Sequence, residues 1–247
     1  MKDCFTKQTF IKLSIYDIWT TFRSKIFHVH TYIIASGEGR EALIIDPVIE
    51  HSDEYSTILN NLDLKLVKVI DTHIHADHIS ALNELNKRTN CIRVMGEKSK
   101  SEVIDLRIKD GEKIKVEEVE LQAIYTPGHT DCSYSFLMND RVFTGDTLLI
   151  NGSGRTDFQN GNAYDAYDSI FNKLLKLPEK TLVFPAHDYN GKKFSTIENE
   201  KNNNPRLQVS SKEEYADIMN NLNLANPKMM DVAVPANVKG LTLDNIN

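Results

Sequence analysis

The sequence predicts one domain that mixes strands and helices, in the α/β or α+β class. Three observations predict it. Strand-like runs alternate with amphipathic, helix-like runs along most of the 247 residues. That length, with 40% hydrophobic and 26% charged residues, suits a soluble chain with one sizeable core. No internal repeat or low-complexity linker divides it, and metal-binding side chains occur at strand ends in both of its parts, 29–146 and 147–187.

Residues 29–35 and 42–46 form a predicted hairpin, joined through Gly37-Glu38-Gly39. Residues 53–62 read as a helix, because Ile58, Leu59 and Leu62 share one face. An apolar strand follows at 66–71, and a helix runs from about 78 to 89. Strands are expected near 92–95, 119–125, 133–138 and 141–144. A helix near 163–176 buries Ile170, Leu174 and Leu175. A strand at 181–184 and a helix near 211–221 complete the pattern.

The stretch Thr72-His73-Ile74-His75-Ala76-Asp77-His78 follows the strand at 66–71. It places three imidazoles and one carboxylate within six residues. These are ligands that suit zinc, iron or manganese. Single ligands recur downstream in Thr126-Pro127-Gly128-His129-Thr130, Phe143-Thr144-Gly145-Asp146-Thr147 and Phe184-Pro185-Ala186-His187-Asp188. In each, a β-branched or aromatic run ends in small residues or proline and then a ligand. Taken alone, His129 or His187 fits an ordinary structural histidine, and Asp146 fits a turn. Four such events in one chain point instead to a metal site built on loops by a rigid scaffold.

Composition narrows the classes. The net charge of −6 disfavours nucleic-acid binding. Cys4, Cys91 and Cys132 are too few and too scattered for a disulfide framework and read as reduced thiols. No apolar run is long enough to cross a membrane. Charged residues interrupt the apolar stretches near the start, so no signal-peptide core is expected there. The chain is therefore expected in the cytoplasm, or in the mitochondrial matrix if its source is a eukaryote. A homodimer is compatible with this reading. His28 and His30, two apart on a likely strand, read as surface or interface residues, and His51 as solvated at a helix start.

HIHADH, TPGHT, FTGDTLLI and PAHDYNG, in this order and spacing, resemble the metallo-β-lactamase superfamily. Gly152-Ser153-Gly154-Arg155-Thr156-Asp157-Phe158-Gln159, Asn204-Pro205-Arg206-Leu207 and Asn221-Leu222-Asn223-Leu224 resemble its persulfide dioxygenase branch. The resemblance covers roughly residues 26–237. It implies an α+β fold, the single-domain αββα four-layer sandwich, with ligands at the mouth between two sheets. It divides the chain into an N-terminal extension, 1–25, and a catalytic domain, 26–247. Asp131-Cys132 and Ser153 depart from the branch pattern, and the first 20 residues have no counterpart in it.

In the superfamily His73, His75 and His129 would form one metal position. Asp77, His78 and His187 would form a second, with Asp146 between them. The branch implies one Fe(II) on His73, His129 and Asp146, two histidines and a carboxylate on one face. His75, Asp77, His78 and His187 then orient ligands or hold waters. The implied reaction takes glutathione persulfide, O₂ and water to sulfite and glutathione. Arg155, Tyr189 and Arg206 are the expected substrate-binding residues, with Arg155 gripping a carboxylate through its planar fork or pairing with Asp157. The alternatives are a two-zinc hydroxyacylglutathione hydrolase of the glyoxalase II type and a non-catalytic thiol or metal sensor. The first is disfavoured because only residues 188–247 follow His187. The second is disfavoured because every ligand is retained.

Overall fold

The computed structural model describes residues 9–10, 18–23 and 28–246. The first sheet has seven strands, β1 (Thr9–Phe10), β2 (Ile18–Arg23), β3 (His30–Ala35), β4 (Glu41–Ile45), β5 (Lys65–Ile70), β6 (Ile92–Gly96) and β7 (Leu106–Ile108), in sequential order. The second sheet starts with β8 (Lys113–Val116), β9 (Val119–Tyr125), β10 (Tyr134–Leu137) and β11 (Arg141–Gly145). A small ribbon, β12 (Leu148–Leu149) with β13 (Gly152–Ser153), leaves it, and β14 (Leu182–Pro185) and β15 (Ser195–Thr196) complete it in the order β15-β14-β11-β10-β9-β8. The helices are α1 (Ser52–Asn61), α2 (Leu82–Thr89), α3 (Ala163–Asn172), α4 (Ile197–Asn203), α5 (Lys212–Asn220), α6 (Met230–Lys239) and α7 (Leu243–Ile246).

Strand periodicity builds the layers. Side chains alternate between the two faces of a sheet. Tyr32, Ile34, Leu43 and Ile45 therefore face Leu121, Phe136, Phe143 and Phe184 of the second sheet in a core between the sheets. Their neighbours Ile33, Ala35, Ala42 and Ile44 face outward, against Tyr55 and Leu59 of α1, Leu85 of α2 and Ala233 and Ala236 of α6. On the far side, Val142 and Val183 pack against Ile170 of α3 and Tyr215 and Met219 of α5. The result is helix, sheet, sheet, helix in one domain, as the resemblance implied. The parallel strands β4, β5 and β6 are buried on both faces toward their C-terminal ends, where helices or the other sheet cover each side, while Lys65, Lys68 and Arg93 lie nearer their starts.

Element boundaries moved in instructive places. The helix expected from 78 starts at Leu82, because residues 78–81 remain in the ligand loop, where Ser80 bridges Val48. The helix expected over 163–176 is an α-helix to Asn172 and a 3₁₀ turn at Leu174–Lys176. Strands β7 and β8 and helices α4 and α6 were not expected. Pro235 sits inside α6, where it breaks the sequence signal of a helix. Cys91 and Cys132 are free and buried, whereas Cys4 lies outside the described residues. Most of the first 20 residues, on which the targeting expectation rested, also lie outside them. No described helix is long and apolar enough to cross a membrane.

Candidate metal centre

Each ligand-bearing loop leaves the end of a strand, and all of them meet at one edge between the sheets. The first, 71–81, follows β5. His129 follows β9, Asp146 follows β11, and His187 follows β14. The first sheet is tied to the last of these loops by the His30 amide, which donates to the Ala186 carbonyl at 2.7 Å, and by a bridge between Val29 and His187. This corrects the surface reading of His30. It is 2% exposed and 3.4 Å from the Tyr32 hydroxyl, which itself donates to the Pro185 carbonyl. The strand carrying it runs under the site. His28 packs on Tyr189, and His51 pairs with Glu54.

His73, His129 and Asp146 come together. Asp146 Oδ2 lies 4.0 Å from His73 Nε2 and 3.6 Å from His129 Nε2. Two donors that each sit about 2.1 Å from a shared ion lie roughly 3–4 Å apart, so the three fit a single metal. The opposite ring nitrogens are occupied. His129 Nδ1–H donates to the Arg155 carbonyl at 2.7 Å. His73 Nδ1 meets the Thr72 hydroxyl at 2.9 Å, and that hydroxyl donates to Asp46 Oδ2 at 3.0 Å. Such contacts fix the tautomer and leave Nε2 with a lone pair to offer. Burial, then the neighbouring His75 and His129, push the His73 pKa well below the usual histidine range and keep it neutral.

The other four residues surround this group. His75 Nε2–H donates to Asp46 Oδ1 at 3.2 Å. Burial acts to lower the His75 pKa, but Asp46 outweighs it and the pKa rises to about 9. His75 Nδ1 is buried without a hydrogen-bond partner, a donor position that a metal would satisfy. His187 bridges two carboxylates, with Nδ1 2.6 Å from Asp146 Oδ1 and Nε2 3.0 Å from Asp77 Oδ2. Burial opposes its charge, yet Asp146 and Asp77 hold its pKa well above the usual value. Conversely, His187 keeps Asp146 low against the effect of burial, and His78 and then His187 do the same for Asp77. His78 Nδ1 is 3.1 Å from Asp77. The ligand atoms of His75, Asp77 and His78 form a second cluster, and those of Asp46, Asp71 and His75 a third.

A cavity of about 470 Å³ opens on the centre, bordered by Asp146, Arg155, His187, Tyr189, Arg206 and Leu224. Arg155 is already engaged. Its Nε and Nη2 close on both oxygens of Asp157 at 2.6 and 2.7 Å, and Nη1 donates to the Ala225 carbonyl at 2.7 Å. Arg206 differs. Its Nη1 donates to the Ser153 carbonyl, and no carboxylate pairs with it among the described residues. Burial presses its pKa down from the usual arginine value. Tyr189 is 66% exposed at the mouth, its ring stacked on His187.

Several contributors escaped the sequence reading. Asp46 ends β4 and receives the Thr72 amide at 2.7 Å, an acidic strand-end residue like Asp146. Gly154 was seen only as part of a motif. A Cβ there would lie 2.1 Å from the Asp146 carbonyl and 2.9 Å from His129 Nδ1, so the backbone approach that orients His129 requires glycine. Gly145, at φ +52°, leaves room for the Thr72 hydroxyl.

Comparison with known proteins agrees with this geometry. The model of the metallo-beta-lactamase superfamily matches residues 25–187. The Homo sapiens protein "Persulfide dioxygenase ETHE1, mitochondrial" is 43% identical over 212 residues, spanning 85% of this chain and 83% of that protein. The crystal structure of ETHE1 from Myxococcus xanthus has a TM-score of 0.87 and 45% identity, covering 90% of this chain and 98% of that one. Identity falls to 29% over 185 residues for the hydroxyacylglutathione hydrolase of Dictyostelium discoideum, across 70% of this chain and 68% of that protein. With the family match over most of the chain and more than 40% identity across most of both chains, this chain belongs to the metallo-β-lactamase superfamily and, within it, to the persulfide dioxygenase branch.

Proposed function

We propose that this chain is an Fe(II)-dependent persulfide dioxygenase that converts glutathione persulfide, O₂ and water to sulfite and glutathione. The persulfide loses four electrons to O₂, and water supplies the third oxygen of sulfite. Iron, when bound, supplies the redox chemistry, which zinc lacks. The observation that carries the reading is the grouping of His73, His129 and Asp146 around one point. Two imidazoles and a carboxylate leave the opposite side of an ion open for substrate.

The remaining residues bind and orient. Thr72 and the Arg155 carbonyl hold the two imidazoles, and His187 holds the free oxygen of Asp146 while keeping a proton beside the site. We assign the carboxylate grip to Arg206 ahead of Arg155, because a half-buried guanidinium without an acidic partner gains most from an anionic ligand. Tyr189 lines the cavity, and its hydroxyl would donate to a substrate entering there. Residues 26–247 form the catalytic unit on this reading, and the extension before them adds β1 and β2 to the first sheet. The buried free thiols accord with a reducing compartment, the cytoplasm or, in a eukaryote, the mitochondrial matrix.

Metal stoichiometry tests the ligand set. One iron per chain is expected. His129→Ala and Asp146→Ala should lose most of it, whereas His187→Ala should keep much of it, with a loss of affinity or activity of about 10–100-fold. Two metal ions per chain, one of them removed by His187→Ala, would favour the two-zinc hydrolase.

A further inference from the structure

The loop that carries His73, His75, Asp77 and His78 has no regular secondary structure, so its backbone groups need partners from elsewhere. Those partners are identifiable. The Thr72 carbonyl receives the Tyr134 amide at 2.9 Å, and the Ile79 carbonyl receives the Ile49 amide at 2.9 Å. The Ile74 carbonyl receives the Gln159 side-chain amide at 2.7 Å. The carbonyls of His75 and His78 both receive a single group, Nδ2 of Asn237, at 2.9 and 3.0 Å. Asn237 Oδ1 in turn accepts the Ser80 amide at 2.8 Å. Both donors and the acceptor of one side chain are therefore spent on one loop, across more than 150 residues of sequence.

We infer that Asn237 on α6 is a positioning residue for the metal-binding loop, so that the C-terminal helix forms part of the centre. Asn237 acts on the backbone that aims His75 and His78, residues that are fully buried and have little other freedom to adjust. A bidentate amide fixes two carbonyls and one amide relative to each other, which sets the curvature of the loop between Ile74 and Ser80. Without it, those buried backbone groups lose their partners, and the loop relaxes toward whatever satisfies them. The inference rests on the reading that this loop holds a divalent metal.

A simpler role would be to dock α6. Ser101 separates the two. Its hydroxyl lies 3.2 Å from the Asn237 carbonyl and 3.5 Å from the Val238 carbonyl, on the same turn of α6, but it makes no hydrogen bond to residues 73–80. Ser101→Ala thus loosens the helix and leaves the loop contacts in place.

The test is equilibrium binding of Fe(II) under anaerobic conditions, and separately of Zn(II), by competition with a chelator. Full-length wild type is compared with Asn237→Ala, Asn237→Asp and Ser101→Ala, and the melting temperature of each metal-free protein is recorded alongside. Asn237→Asp keeps the acceptor for Ser80 and removes both donors, so it carries the test if Asn237→Ala does not fold. Both Asn237 variants are expected to bind Fe(II) about tenfold or more weakly, while Ser101→Ala binds as wild type does. Wild-type affinity in the Asn237 variants, or an equal loss in Ser101→Ala, would overturn the inference. A wild-type chain that binds neither metal would remove the functional reading as well, and that outcome is distinct from failure of the Asn237 variants alone.

Discussion

The main-chain carbonyl of Arg155 accepts the Nδ1 proton of His129 at 2.7 Å, while the side chain of the same residue closes on Asp157 and reaches the Ala225 carbonyl. One residue thus orients a metal ligand through its backbone and ties down the cavity rim through its side chain. Substitution removes only the second function. Arg155→Lys should therefore retain its iron and lose turnover on every persulfide to a similar degree, because the rim at Leu224 and Ala225 loosens. Steady-state kinetics with glutathione persulfide and with a short alkyl persulfide check this. A defect confined to glutathione persulfide would return the carboxylate grip to Arg155.

Arg206 carries the complementary expectation. A charge-assisted contact to a carboxylate contributes about 1.5–3 kcal/mol, which is roughly tenfold or more in affinity. Arg206→Gln should raise KM for glutathione persulfide by about that factor, with iron content unchanged and alkyl persulfides much less affected. Equal losses on both substrates would mean that Arg206 serves only to hold Ser153.

Gly154 tests the backbone packing beneath His129. Any Cβ at this position meets the Asp146 carbonyl and the His129 ring, and neither is the far end of a flexible chain. Gly154→Ala should lower iron content and activity together by at least tenfold, the scale of losses seen when groups that orient ligands are disturbed. Metal analysis of the purified variant decides the point, and full occupancy would show that the loop can shift without consequence.

The fold was legible where periodicity was strong. Residues 29–35, 42–46 and 141–144 were legible as strands and the strand-end ligands as one site, whereas the two sheets and the mouth between them came from the family resemblance. What stayed hidden was long-range. Nothing near Asn237 in sequence marks its contact with His75, and nothing near Asp46 marks its contact with Thr72, because such contacts exist only after the chain closes. Of the two expected partners of Arg155, a substrate carboxylate or Asp157, the structure contains the pairing with Asp157. Pro235 masked α6 for the local reason that proline opposes helix interiors.

The acid limb of stability follows from the His187 bridge in metal-free protein. Asp77 and Asp146 have carboxyl pKa values held below the unfolded value near 3.9. The unfolded chain then binds more protons than the folded one as pH falls, so this contribution is present above about pH 4 and is lost below it. Asp71, raised by burial to about 7, titrates with the opposite sign, so the comparison must isolate one group. Between pH 6 and 3 the melting temperature of the metal-free wild type should fall more steeply than that of Asp77→Asn. Parallel curves would show that the bridge adds no pH-dependent stability.

The proposed activity depends on redox chemistry at a three-residue centre. Oxygen uptake with sulfite release, measured on glutathione persulfide for iron-loaded and zinc-loaded protein side by side, tests it most directly. Consumption of O₂ with formation of sulfite by the iron form only is the predicted result. Thioester hydrolysis by the zinc form, with no O₂ uptake by the iron form, would contradict it.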